Sequence, residues 1–249
     1  MKTIYSIIKI SLKSYYLRSS NIVALLLFPI LTVVLFLQQT DLTKIVNLFI
    51  GSILLSSSLI CINTLSRNIA MDKSFNRLWL YEVPSYKLIK YLIGISLASL
   101  IFVIIINIYL LLISIIFINI NLSFNLISNI LFSSILTWFI IAPIGLIIGL
   151  FSKNIMTASS ISSMITAIII SFSSSYSNNS FSKFYFLDIL SQILPITHLG
   201  NIYRYVLQVN SNITSISIKY LVMFFIIEIF ILFIILLRFI KNTSLNNQS

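Results

Sequence analysis

One histidine, His198, one cysteine, Cys61, and five acidic residues are the groups from which a metal centre or a nucleophilic site could be built in this chain of 249 residues. A bound metal needs about three or four such ligands at characteristic spacings, and no such spacing occurs. A Ser/His/acid or Cys/His set fails too, because His198 lies far from any candidate pair of acids. The phosphate-cradling pattern G-x-x-x-x-G-K-[ST] is absent, so ATP is not expected to bind here through a P-loop. These absences exclude an intramembrane protease or a phosphatase. His198 reads as a surface or packing residue, and a single cysteine allows no internal disulfide.

Polar groups inside apolar runs are the remaining chemistry. Glu228 stands in Phe224-Phe225-Ile226-Ile227-Glu228-Ile229-Phe230. A charge at mid-bilayer costs about 2.5–3.5 kcal/mol on insertion scales. Two readings stay open: a polar contact in the bundle or on a substrate path, or a neutral acid hydrogen-bonded to a neighbouring helix. Hydroxyls cluster at Thr157, Ser159, Ser160, Ser162, Ser163 and Thr166, and again at Ser56, Ser57 and Ser58 with Asn63. Small hydroxyl residues let membrane helices approach closely, which is the favoured role, or they line a polar path. Gly145 and Gly149 form a G-x-x-x-G preceded by Pro143.

The elements that must position these groups follow from composition. Hydrophobic residues make up 59% of the chain and charged ones 8%, with a mean hydropathy of +1.07. A soluble domain carries about a quarter charged residues. An ordinary soluble enzyme and a disordered tail are therefore excluded, and lipid is the solvent that fits. Six apolar runs are long enough to span, at 21–38, 45–64, 91–118, 127–151, 155–173 and 217–237. Their continuity predicts helices, since barrel strands would alternate. The first run lacks a small-x-small cleavage pattern and reads as a retained span.

The 16 basic residues against 5 acidic give a net charge of +11. They sit between the apolar runs and not on a soluble face, so no nucleic acid is expected. Twelve fall on one side of the six-span layout, and Lys44, Lys183, Arg204 and Lys219 on the other. The positive-inside rule then places both termini in the cytoplasm. The preference for Ile, Asn, Ser and Lys over Ala and Gly points to AT-rich coding, as in a low-GC bacterium.

Residues 1–20 predict an amphipathic helix, with Lys2, Ser6, Lys9 and Lys13 on one face and Ile4, Ile7, Ile8, Leu12 and Tyr15 opposite. It would lie flat at the interface. Residues 21–249 form the membrane domain of six expected spans. Within it, 65–90 is a cytoplasmic segment mixing charges with Ile69, Phe75, Leu78 and Trp79, an arrangement that invites docking. Pro84 ends any helix before it, and Ser85 can cap the next. The segment 174–216 is external, with short helices broken at Pro195.

In this order, these features resemble the membrane subunits of type-2 ABC exporters over nearly the whole chain. Asp72, Pro84, Lys87 and Lys90 match a family stretch of acid, apolar residues, Pro and base, although Ser74 and Phe75 stand where a Gly usually follows the acid. Gly149-Leu150-Phe151-Ser152, and Pro195 with Arg204, resemble further family features.

The resemblance implies an all-α protein of six transmembrane helices with an elbow helix, a coupling helix and short extracellular helices before the last span. Residues 67–82 would couple to a separate ATPase through Arg67, Asp72, Phe75, Arg77, Leu78, Trp79 and Glu82. Pro195 and Arg204 would belong to an outer gate. Ser56, Asn63, Ser160, Ser163 and Glu228 are the candidates for the translocation path or for helix packing, with spans two and five facing a partner permease. The partners would be an ABC ATPase, a second permease subunit and the bilayer. The chain would bind no cofactor, ATP and Mg belonging to the ATPase, and would lie in the bacterial cytoplasmic membrane. Amphipathic antimicrobial or cytolytic peptides, of the bacteriocin or phenol-soluble modulin type, are the favoured cargo, with lipids, drugs and polysaccharide left open. A stand-alone secondary transporter or channel, or a membrane scaffold, are the competing readings.

Overall fold

A computed structural model describes residues 2–17, 41–75, 86–118, 124–173, 185–207, 219–231 and 234. The described residues are helical and contain no strand. In chain order they form α1 (Lys2–Leu17), α2 (Leu42–Ser58), a π-helical segment (Leu59–Thr64), α3 (Leu65–Ser74), α4 (Tyr86–Ile118), α5 (Phe124–Phe151), α6 (Ile155–Phe172), α7 (Tyr185–Ile193) and α8 (Pro195–Val206). A last helix, α9, covers residues 219–231. The expected first span at 21–38 lies outside the described residues.

Among the described residues, four helices are long and apolar enough to cross a membrane: Thr43–Ser74, Leu88–Ile115, Ile127–Phe151 and Ile155–Phe172. At 1.5 Å per residue, the 33 residues of α4 reach about 50 Å, well beyond about 30 Å of hydrocarbon. The third, fourth and fifth expected spans coincide with α4, α5 and α6 to within a few residues.

The second span differs from expectation. The helix does not stop at residue 64 but runs on through Ser74. Arg67, Asn68, Asp72 and Lys73 make α3 polar on average, which reads as a loop. Yet Leu65, Ile69 and Ala70 are fully buried, because α3 packs against α5 and α6. The stretch 67–74 of the expected coupling helix is thus continuous with the helix of the second expected span.

Local chemistry sets several boundaries. Asn154 starts α6 with a reciprocal cap: its Oδ1 accepts from the Thr157 N–H at 2.8 Å, and its own N–H donates to Thr157 Oγ1 at 3.3 Å. Pro195 begins α8 at a position that needs no N–H donor, after the extended Leu194 that breaks it from α7. α1 lies against α4. Its Ile7 is buried and Ser6, Lys9 and Lys13 are exposed, as the face pattern requires. Gly94 makes the notch: a Cβ there would stand 2.8 Å from Ile7 Cγ2. The core runs through Phe49, Ile50, Ile53 and Leu54 of α2 to Leu110 of α4 and Ile141 of α5.

Candidate functional site

The seam between α5 and the π segment is a close backbone contact. Wider turns carry the chain around Cys61 and Asn63, and Thr64 Oγ1 donates to Leu59 O, five residues back, at 3.3 Å. π turns are frequent at functional sites. Gly145 lies directly on the Cys61 carbonyl, and Gly149 sits against Ile69 and Ser66. The G-x-x-x-G therefore works as a contact surface, onto which the π segment and α3 pack.

The same segment turns Asn63 towards α6. Asn63 Nδ2 donates to Ser163 Oγ at 3.0 Å, and Ser162 Oγ donates to Asn63 Oδ1 at 2.6 Å. Two of the candidate path residues, Asn63 and Ser163, are thus joined. Beside them Ser160 is exposed, as are Ser163, Met164 and Ala167 on the same helix, and Met156 is 81% exposed. Ser56 belongs elsewhere: it is buried and donates to its own helix at Ser52 O.

At the α3 end, consecutive residues grip different helices. Tyr91 of α4 donates its hydroxyl to Asp72 Oδ2 at 2.6 Å. Lys73 Nζ donates to Leu150 O at 2.9 Å and to Ser152 O at 3.2 Å. A cation there complements the negative end of the α5 dipole. Arg67 is half-buried, and Phe75 is 60% exposed. Arg77, Leu78, Trp79 and Glu82 lie outside the described residues, as do Pro84 and Ser85.

At the other end, α8 is built into the bundle against α2 and α5. Arg204, 1% exposed, donates through Nε to Asn47 Oδ1 of α2 and through Nη1 to Asn201 Oδ1, both at 2.9 Å. Burial draws its pKa down to about 10, so it remains a cation at neutral pH. Tyr203 is fully buried beside Ser134 and Thr137, each 3.4 Å from its hydroxyl. Ser134 in turn accepts from Asn107 Nδ2 at 2.9 Å, and Ser57 lies 3.4 Å from the same nitrogen. A polar chain therefore links α8, α5, α4 and α2. Pro195 is buried at the head of α8. His198 is a packing residue: Nε2 lies 2.6 Å from Gln192 O, and the ring stacks on Tyr220 of α9 at 5.1 Å.

Glu228 stands apart from the other candidates. It is buried on α9, and neither carboxyl oxygen has a hydrogen-bond partner among the described residues. Nearby, Phe225 and Ile229 line an apolar cleft of about 340 Å³ with Trp138, Phe139 and Pro143. Among the described residues no three His, Cys, Asp or Glu side chains come together to hold a metal.

Asn107, Tyr91, Lys73 and Tyr203 were not singled out by sequence reasoning. An amide inside the long apolar run 91–118 was a usable signal for Asn107. The other three look ordinary until their partners are placed.

Long apolar helices wrapped around buried amides and hydroxyls define a multi-pass membrane protein of the helical-bundle class. The profile of the ABC-2 type transporter family matches residues 3–209, and the chain belongs to that family. It is a transport component, the membrane-spanning permease of an ABC transporter, and membership implies an ABC ATPase as partner. Comparison with individual curated proteins found no match.

Proposed function

We propose that this chain is half of the membrane channel of an ATP-driven exporter, coupled to a separate ATPase and paired with a second permease, identical or related. The observation that carries this reading is the exposed face of α6, where Ser160 and Ser163 stand among Ile161, Met164 and Ala167. Ser160 and Ser163 are exposed within a span, and Asn63 reaches Ser163 from the π segment. Polar side chains within spans generally face the bundle interior or a water-filled cavity. A second permease across a central path supplies both. Six spans, a leading elbow helix at the inner surface, and cytoplasmic termini in a bacterial membrane complete the layout.

In this reading, the α3 end with Phe75 and the residues through Glu82 docks on the ATPase, which holds ATP and Mg while this chain binds no cofactor. ATPase closure then repacks the helices, and Pro195 and Arg204 belong to the outer gate. The cargo is an amphipathic molecule, an antimicrobial or cytolytic peptide being favoured by the coding bias and the small size of the permease. Purification in mild detergent, with identification of the accompanying chains, tests the division of labour. An ATPase and a second permease are expected, and Phe75→Asp or Trp79→Asp should release the ATPase while the bundle stays intact. Full solute flux by the isolated chain in vesicles, without ATP, would overturn the reading.

A further inference from the structure

The grip of α3 on two other helices has a mechanical use that a plain structural tie would not need. Asp72 and Lys73 are neighbours, about 100° apart on the helix. One holds α4 through Tyr91, and the other holds the end of α5 and the turn into α6 through main-chain carbonyls. Two residues later Phe75 projects from the bundle. α3 itself is continuous with α2 and packs on both α5 and α6. A displacement applied at Phe75 therefore reaches three spanning helices through a single turn.

We propose that Asp72 and Lys73 form a splitting joint, in which Asp72–Tyr91 passes motion to α4 and Lys73–Leu150/Ser152 passes it to the α5–α6 turn. This rests on the ATP-driven reading above. The two branches are chemically different. The Tyr91–Asp72 bond is between side chains, short and charge-assisted. Among the described residues Lys73 donates to carbonyl oxygens, so its hold follows the backbone of residues 150–152, whatever their side chains. Lys73 thereby couples to the start of α6, where the reciprocal cap of Asn154 and Thr157 makes the turn rigid. Asp72 and Lys73 are positioning residues and touch no cargo.

The test uses the whole permease–ATPase complex, trapped with ATP and vanadate, and amide hydrogen exchange read by mass spectrometry. No cargo is required. In the unaltered complex, trapping should change exchange in the turn Phe151–Asn154 and in the first turns of α4. Lys73→Met should shrink the change in the turn by about fivefold, the scale of a weak coupling, and spare α4. Lys73→Arg, which still donates, should restore it. Tyr91→Phe should do the converse, shrinking the change in α4 and sparing the turn. Equal nucleotide-dependent changes in Lys73→Met and the unaltered complex overturn the joint alone. Loss of both branches in either variant also overturns it, because a general loosening of the fold, not a split path, predicts that result. No change on trapping in the unaltered complex overturns the joint and the ATP-driven reading together.

Discussion

Gly145 meets the carbonyl oxygen of Cys61 so closely that a Cβ on Gly145 would overlap it. The obstacle is backbone, which cannot swing aside as a side chain can. Gly149, one turn on, has more room: its first neighbour would be Ile69 Cβ, at 2.8 Å. Gly145→Ala should therefore destabilise the bundle by about 1–3 kcal/mol, the usual cost of overpacking, and Gly149→Ala by less. Thermal unfolding in detergent, followed by size-exclusion chromatography, checks the order. Equal midpoints for the two variants would show that the seam is looser than described.

Asn63 fastens the π segment to α6 by bonds to Ser162 and Ser163. A double-mutant cycle with Asn63→Leu and Ser162→Ala should give a coupling of about 0.5–1.5 kcal/mol, as for other interhelical bonds in membranes. Purely additive losses would mean that the pair contributes nothing to holding α6.

Arg204 is the charge that roots α8 in the bundle. Arg204→Met removes the donor to Asn47 and leaves that buried amide oxygen without it, so a loss of about 1–3 kcal/mol is expected. Arg204→Lys should recover little, since a lysine lacks the fork that reaches Asn47 and Asn201 at once. A melting midpoint for Arg204→Met equal to that of the parent would remove Arg204 from the structural account.

His198 gives α8 a dependence on pH. Burial lowers its pKa below 6.5, while the bond to Gln192 acts the other way and more weakly. The unfolded ring therefore binds its proton first as the pH falls. Stability present above about pH 6.5 is lost below it. The melting temperature should drop between about pH 7.5 and 5.5, and His198→Phe, which keeps an aromatic ring against Tyr220, should flatten that slope. An unchanged slope in the variant would assign the effect to another group.

Hydrophobic run length was enough to place α4, α5 and α6, because an unbroken apolar stretch leaves a chain in lipid only the helix. The break at Pro195 was legible for an equally local reason. The extension of the second span to Ser74 was not. Its charges resemble those of a loop, and only the burial of Leu65 and Ile69 under α5 and α6 reveals a packed helix. The π register around Cys61 could not be read either, since it changes neither composition nor period over six residues. Of the candidate site, Asn63 and Ser163 were nameable from type alone, and Asp72 from the family resemblance. Their partners were not, because Ser162, Tyr91 and the carbonyls of Leu150 and Ser152 come near only when helices distant in sequence pack. The resemblance implied an outer-gate place for Arg204, and its bond to Asn47, 157 positions away in the chain, lies beyond any local pattern.

The burial of Cys61 leaves the molecule with a silent background for labelling chemistry. The only thiol in the chain is buried in the π segment, so a water-soluble maleimide should pass over the native protein. A cysteine introduced at Met156 would then report alone. Any slow labelling of Cys61 itself would time the parting of the π segment from α5.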